Sequence, residues 1–364
     1  MTDPRTDDLY RLIDRAGVNH VSDIHIHPGE GTWVQIEGVL RKDSSPNSVL
    51  GVGELAGWLA ASSGPAVTPE ERLGAKGQVS VAYDTGSFRA RAAYRRDTTG
   101  ISVTIRLVPY EIPTAEALGI PMTIQNLMTK TAGLILIEGP TNSGKTTDIA
   151  ALIEKANHEQ ERHIYLIEDP IEYVHTAHGN TVLTQREIGI HALDFASAVE
   201  NALRSTPHII VIGEMLDNAT KKAVLLAATT GHLVLTTAHA GSVVEAIGSF
   251  IGEFPADEQP QVRTRLSQSL LAVMTQRLLV PRTAGERRVP VHEVSVIDSN
   301  IQGLIRDNNM HLLHSQLESA QDAFSLEQSL VRLVGEGRIT ADTAMAETRL
   351  PDELLDALKR NGST

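Results

Sequence analysis

A short apolar run, GLILIE at 133 to 138, leads straight into GPTNSGKTT at 139 to 147. The second stretch fits G-x-x-x-x-G-K-[ST] in full, and that pattern leaves few ways to fold. It needs a strand before it and a helix after it, so that the loop's backbone N–H groups and the helix N-terminus converge on an anion. In such a loop Lys145 reaches the terminal phosphates and Thr146 offers a hydroxyl to Mg²⁺. Gly139, Pro140, Thr141, Asn142, Ser143, Gly144, Lys145, Thr146 and Thr147 are the candidate phosphate-binding residues.

The rest of the chain reads as two units. Downstream, GLILIEG, HIYLIED, HIIVIGE and HLVLTT are continuous apolar runs separated by helical stretches. Runs of that kind are buried on both faces, as in a mainly parallel sheet covered by helices. Upstream the pattern is alternation: Val79, Val81 and Tyr83, then Phe88, Ala90, Ala92 and Tyr94, around an Asp84-Thr-Gly-Ser turn, which predicts a hairpin. Arg89, Arg91 and Arg95 share the opposite parity, and Arg106 interrupts the next alternating run. One such arginine is an ordinary solvated strand residue, but four on neighbouring strands suggest an anion-facing surface. Prolines 109, 113 and 121 break the connection between the two patterns. The expected division is an N-terminal domain over 1–109, a linker over 110–121 and a domain carrying the phosphate loop over 122–364. Near the C-terminus, Ser325 to Gln328 can form a capping box, Pro351 suits a first helical turn, and Leu354, Leu355 and Leu358 are expected to share a buried face.

Composition narrows the function classes. At 364 residues the chain is long enough for two cores, and its net charge of -13 opposes a nucleic-acid binder with a broad basic surface. It has no cysteine, which excludes thiolate zinc sites and disulfides and suits a reducing compartment. The N-terminus lacks an export-signal pattern, and no apolar run approaches the roughly 18 residues of a membrane helix. A soluble, cytoplasmic protein is expected.

Three further elements carry candidate chemistry. Glu214 ends the run HIIVIGE, where a carboxylate beside a phosphate loop can contact Mg²⁺ through water or orient the attacking water. Glu168, Asp169 and Glu172 crowd one turn and would repel one another unless Mg²⁺ with water, or arginines, neutralise them; a plainly solvated acidic turn is the competing reading. His232 and His239 bracket a buried-looking strand, too far apart to share a metal, and one of them is a candidate sensor of the terminal phosphate. His25 and His27 share a strand face and could bind metal weakly, although solvated or structural histidines are the commoner case.

The order of these elements resembles the PilT/GspE superfamily of secretion and type IV pilus ATPases. GPTNSGKTT looks like its Walker A loop, IEDPIEYVH its Asp box, IIVIGEM its Walker B and TGHLVLTTAHA its His box. SDIHIHPG, FRARAAYRR, IRLVP, QREIG and VHEV extend the similarity over most of the chain. GEM at 213 to 215, the absent tetracysteine module and NIQGLIRD at 300 to 307, similar to AIRNLIRE, point toward the PilT branch of retraction ATPases. The resemblance implies an α/β chain with an N-terminal PAS-like α+β domain, a C-terminal RecA-like P-loop domain and extra C-terminal helices. It implies a homo-hexamer that binds ATP and Mg²⁺ between its domains. Its expected partners are an inner-membrane pilus platform protein, where the chain would associate peripherally, and a paralogous pilus ATPase; neither nucleic acid nor zinc is expected. Glu214 then matches the catalytic Walker B glutamate and Glu168 the Asp-box glutamate, with Thr146, Glu168 and Glu214 around the metal. His239 and His232 match the His box, and Arg89 and Arg106 match arginines that would neutralise phosphate.

The departures thin the charges beside Walker B and extend to the His box and the C-terminal motif. Leu216 stands where the family has arginine, Ser205, Thr206 and His208 replace acids, Thr229 replaces glutamate, and Gln302 and Gly303 replace Arg and Asn. The thinned charges predict slower hydrolysis or weaker subunit coupling with nucleotide binding retained. They leave open an accessory ring subunit of low activity, and an assembly or secretion ATPase shares the same four boxes.

Overall fold

The computed structural model describes residues 7–19, 21–43, 51–61, 68, 71, 73–74, 77–283, 286–313, 316 and 324–361. The chain divides into two compact units, Met1–Glu111 and Ile112–Thr364.

The first unit is one antiparallel sheet of six strands in the order β3-β2-β1-β6-β5-β4. Its strands are β1 (Val21–His27), β2 (Gly31–Ile36), β3 (Val39–Lys42), β4 (Gln78–Asp84), β5 (Phe88–Asp97) and β6 (Gly100–Pro109), with helices α1 (Asp7–Val18) and α2 (Val52–Ala61). The predicted hairpin is β4–β5, paired from Gln78↔Arg95 to Asp84↔Arg89. Period-two geometry sends Ala90, Ala92 and Tyr94 into a core with Leu9, Ile13, Leu55 and Leu59. The arginines consequently lie on the other face. Arg91 sits opposite Arg106 on β6, and Arg106 in turn sits opposite Asp23 on β1.

The second unit is built on a seven-stranded sheet in the order β13-β12-β7-β11-β10-β8-β9. The four apolar runs are β7 (Gly133–Glu138), β8 (His163–Glu168), β10 (Ile209–Ile212) and β11 (Leu233–Thr237), joined by β9 (Val182–Glu187), β12 (Leu270–Leu279) and β13 (Val289–Val296). All neighbours are parallel except β13, which closes the edge antiparallel to β12. Alternate residues serve opposite faces. Ile209 and Val211 pack with Ile135, Ile137 and helix α4 (Lys145–Glu159), beside α3 (Met122–Leu127). Ile210 and Ile212 pack with Leu134 and Leu136 under α5 (Phe195–Leu203), α6 (Asn218–Thr229), α7 (Val243–Gly252), α8 (Gln259–Ser269) and α9 (Ser299–Arg306). The mixed α/β class of the chain follows from this two-sided burial.

A third cluster joins β13 to helices α10 (Leu326–Gly335), α11 (Ala341–Glu347) and α12 (Pro351–Arg360). The capping box at Ser325 and Gln328 is formed, and Pro351 opens α12. Leu354 and Leu358 are buried, whereas Leu355 stays 38% exposed. Spacing explains that difference: positions four apart share a helix face, and Leu355 is turned off it by one residue.

Candidate active site

In a parallel sheet the carboxyl ends of all strands open on one edge, and ligands bind there. That edge collects the loop at 139 to 147 after β7, Glu168 at the end of β8, Glu214 after β10 and His239 after β11.

The phosphate loop has the backbone its glycines predict. Gly139 has φ 144°, and a Cβ there would stand 2.3 Å from the carbonyl oxygen of Gln276 on β12. Gly144 has φ 94°, and its Cβ would meet the Gln276 Nε2 at 2.7 Å. A side chain at either position would collide with Gln276 and push the loop off the backbone path that lets its amides face a phosphate. Lys145 folds back over the loop and donates to the carbonyls of Gly139 (2.7 Å) and Pro140 (3.0 Å). Burial pulls its pKa down, opposed by the charges of Glu138 and Glu214. Thr146 and Thr147 are half-buried in the first turn of α4; Pro140, Thr141 and Asn142 are exposed, and Ser143 is buried. The Ser143 Oγ has no protein hydrogen-bond partner, so the loop holds a spare donor beside its amides. This donor set fits a polyphosphate.

The hard oxygens of Thr146, Glu168 and Glu214 are the ligand type that Mg²⁺ prefers. Glu168 is buried and accepts from Gln185 Nε2 at 3.1 Å, and Gln185 also donates to the Tyr173 carbonyl, so the acidic turn is tied to β9. Glu214 and His239 are brought together, with Nε2 3.9 Å from the carboxylate. Thr237 Oγ1 donates to the Gly213 carbonyl at 2.5 Å and locks the ends of β10 and β11 to each other.

His232 does not join this group. It precedes β11, at the opposite edge of the sheet, and its Nδ1 lies 3.2 Å from the Ala227 carbonyl. Seven residues of extended chain span about 23 Å, so only one histidine of the box can face the chain's own phosphate loop. Arg106 is anchored by buried Asp23, Nε to Oδ1 at 3.0 Å, while Arg89 is half-buried across from Asp84. His25 and His27 are engaged with the Thr104 hydroxyl (3.3 Å) and Asp97 (3.8 Å), and among the described residues no third metal-binding group stands within ligating reach of them.

Sequence reasoning missed a buried polar layer beneath the loop. Glu138, 2% exposed at the last position of β7, accepts from the Ala240 amide at 3.1 Å, and burial pushes its carboxyl up to about 7. Asp148 on α4 is 1% exposed, burial raises it well above the usual carboxylate range, and its Oδ2 has no protein partner. Gln276 donates to the Ser143 carbonyl at 2.8 Å and accepts from His292 Nε2 at 2.6 Å. Burial, then Arg332, pulls His292 down to about 4, which leaves the imidazole neutral. The available signal was an acid inside an apolar stretch, since uncompensated buried charge is costly and rarely accidental.

A profile of the family described as type II/IV secretion system protein matches residues 2–346. The chain is 34% identical over 324 residues to "Uncharacterized protein YggR" of Escherichia coli (strain K12), covering 88% of this chain and 96% of that one. It is 35% identical over 269 residues to the "Type IV pilus retractation ATPase PilT" of Pseudomonas aeruginosa PAO1, covering 73% and 77% of the two chains. A crystal structure of the pilus retraction motor PilT with bound ADP aligns at a TM-score of 0.82 and 34% identity, over 96% of this chain and 99% of that one. The chain therefore belongs to the type II/IV secretion system protein family, the PilT/GspE superfamily that its four boxes indicate.

Proposed function

We propose that this protein is a ring-forming Mg-ATPase that powers the retraction of a type IV pilus. The observation that carries the reading is the convergence of Lys145, Glu214 and His239 on the carboxyl edge of one parallel sheet. Kinship with PilT proteins supports the pilus assignment.

In this reading the loop amides and Lys145 bind the ATP phosphates, Lys145 exchanging the Gly139 and Pro140 carbonyls for phosphate oxygens. Thr146 holds Mg²⁺, with Glu168 and Glu214 as further oxygen ligands, directly or through water; the ion supplies charge neutralisation on the phosphates. Glu214 orients and deprotonates the attacking water, and His239 beside it reports whether the terminal phosphate is present. Arg89 and Arg106 on the PAS-like unit meet phosphate charge, and the RecA-like unit supplies the loop. Six copies form a cytoplasmic ring that works on an inner-membrane platform protein, with a paralogous ATPase as a second partner.

Deleting the gene in a piliated host should leave pili extended and abolish twitching. Complementation should succeed with the wild type and fail with Glu214→Gln. Loss of surface pili on deletion would instead make it an assembly motor. A low-activity accessory subunit is the second reading, favoured by Leu216, which lies 65% exposed two residues after Glu214 and brings no charge to the site.

A further inference from the structure

Helix α4 begins at the phosphate loop, but its last turns carry chemistry that the proposed function does not use. Glu154 and His158 are four residues apart and share one helix face, with His158 Nε2 3.5 Å from Glu154 Oε2. The segment that follows the acidic turn returns to this face and places His178 against His158, the rings stacked with centroids 3.8 Å apart at 27°. One donor atom from each of Glu154, His158 and His178 lies within 4.8 Å of the others, and among the described residues no other such group of three occurs.

The surroundings hold these side chains in place. Buried His175 presents its Nδ1 to Glu154 Oε1 at 2.5 Å, which fixes the carboxylate's orientation and turns Oε2 toward His158, where it also accepts from Asn157 Nδ2 at 3.3 Å. Asn157, 1% exposed, donates to the Thr176 carbonyl at 2.8 Å and accepts from the His178 amide at 3.1 Å. The returning segment is thereby pinned on either side of residue 177 to the helix that carries the other two groups. Outer-shell partners that orient first-shell ligands are the usual construction of a metal centre.

We propose that Glu154, His158 and His178 form a binding site for a divalent transition metal, with water completing the coordination. Two imidazoles and one carboxylate suit Zn²⁺, Co²⁺ or Ni²⁺ rather than Mg²⁺, which prefers oxygen. Tetrahedral bonds of about 2.0–2.1 Å put ligand atoms about 3.3 Å apart, so donor atoms now within 4.8 Å of one another must close by up to about 1.5 Å, the stacked rings turning so that both ring nitrogens face the ion. His158, with its side chain 56% exposed, is free to make them. Nine residues of helix separate Glu154 from Lys145, about 14 Å, so this site is separate from the phosphate loop. The expectation of no zinc, drawn from missing cysteines and a missing tetracysteine module, applies only to thiolate sites. An ion here would clamp the segment after the acidic turn onto the helix that starts at Lys145.

Cobalt titration of the untagged, metal-stripped full chain, without nucleotide, tests this. The expected result is one Co²⁺ per chain with visible bands of a four- or five-coordinate ion, displaced by Zn²⁺ and unaffected by millimolar Mg²⁺. His158→Ala and His178→Ala should each weaken binding at least about tenfold while leaving the far-UV circular dichroism unchanged. Cobalt that stays six-coordinate, binding that both variants retain, or displacement by Mg²⁺ would each overturn the proposal; retention by both would place the ion among the remaining histidines of the 14.

Discussion

Replacing Glu138 by glutamine should flatten the pH dependence of the second unit's stability. The carboxyl is held at about 7 against its ordinary 4.5, chiefly by burial at the end of β7, with the Ala240 amide and the charges of Lys145 and Lys221 acting against that rise. Because the folded-state value lies above the unfolded one, the folded chain keeps a proton that the unfolded chain has released. The associated stabilisation is full below about 4.5 and is lost as pH rises through about 7. Each pH unit is worth about 1.36 kcal/mol, so the wild type should lose about 2.5 kcal/mol from this group between about pH 5 and pH 8. Glutamine keeps the shape and an acceptor for Ala240 but cannot titrate. Urea unfolding followed by far-UV circular dichroism, dominated by the helices of the second unit, would measure the difference. Both tryptophans, Trp33 and Trp58, lie in the first unit, and their fluorescence gives the internal control. The variant should gain about 2.5 kcal/mol on the wild type between the two pH values. Parallel curves would mean that Glu138 does not carry a proton near neutrality.

Gly139→Ala should lose nucleotide binding and at least about 2 kcal/mol of stability, because its Cβ would stand 2.3 Å from a backbone oxygen of β12; binding by calorimetry and a melting curve would check both. Leu216→Arg should raise kcat with stability changed by less than about 0.5 kcal/mol, since the position is 65% exposed; an unchanged kcat would remove the argument that this position limits turnover. Arg106→Ala should lower kcat more than it weakens ADP binding, because the charge it meets grows in the transition state. Equal losses in the two measurements would restrict Arg106 to holding nucleotide.

The parallel strands were legible because they are buried on both faces, and the hairpin because one of its faces is polar. Strand β12 was not legible. LLAVMTQRLL is rich in Leu, Ala, Met, Gln and Arg, all good helix formers, and it becomes a strand because β7 offers a free parallel edge and β13 closes the other side. The phosphate loop was legible from spacing, Glu214 from its place at the end of an apolar run in a chain with that loop, and His239 only through the family resemblance. The polar layer of Glu138, Asp148, Gln276 and His292 was not, since it depends on depth and on contacts between residues more than a hundred positions apart, such as Gln276 with Ser143. The anchoring of Arg106 by Asp23, 83 positions away on the neighbouring strand, was equally hidden. For His232 and His239 the separating strand was legible, and the structure adds which of the two lies at the carboxyl end of β11.

In the proposed function the carboxyl-edge cluster makes this chain a working ring ATPase. Steady-state ATP turnover per subunit, measured over a wide range of protein concentration with Glu214→Gln as the control, tests it most directly. Turnover should rise cooperatively with concentration and disappear in the variant. A wild type that binds ATP yet turns over no faster than Glu214→Gln would contradict it.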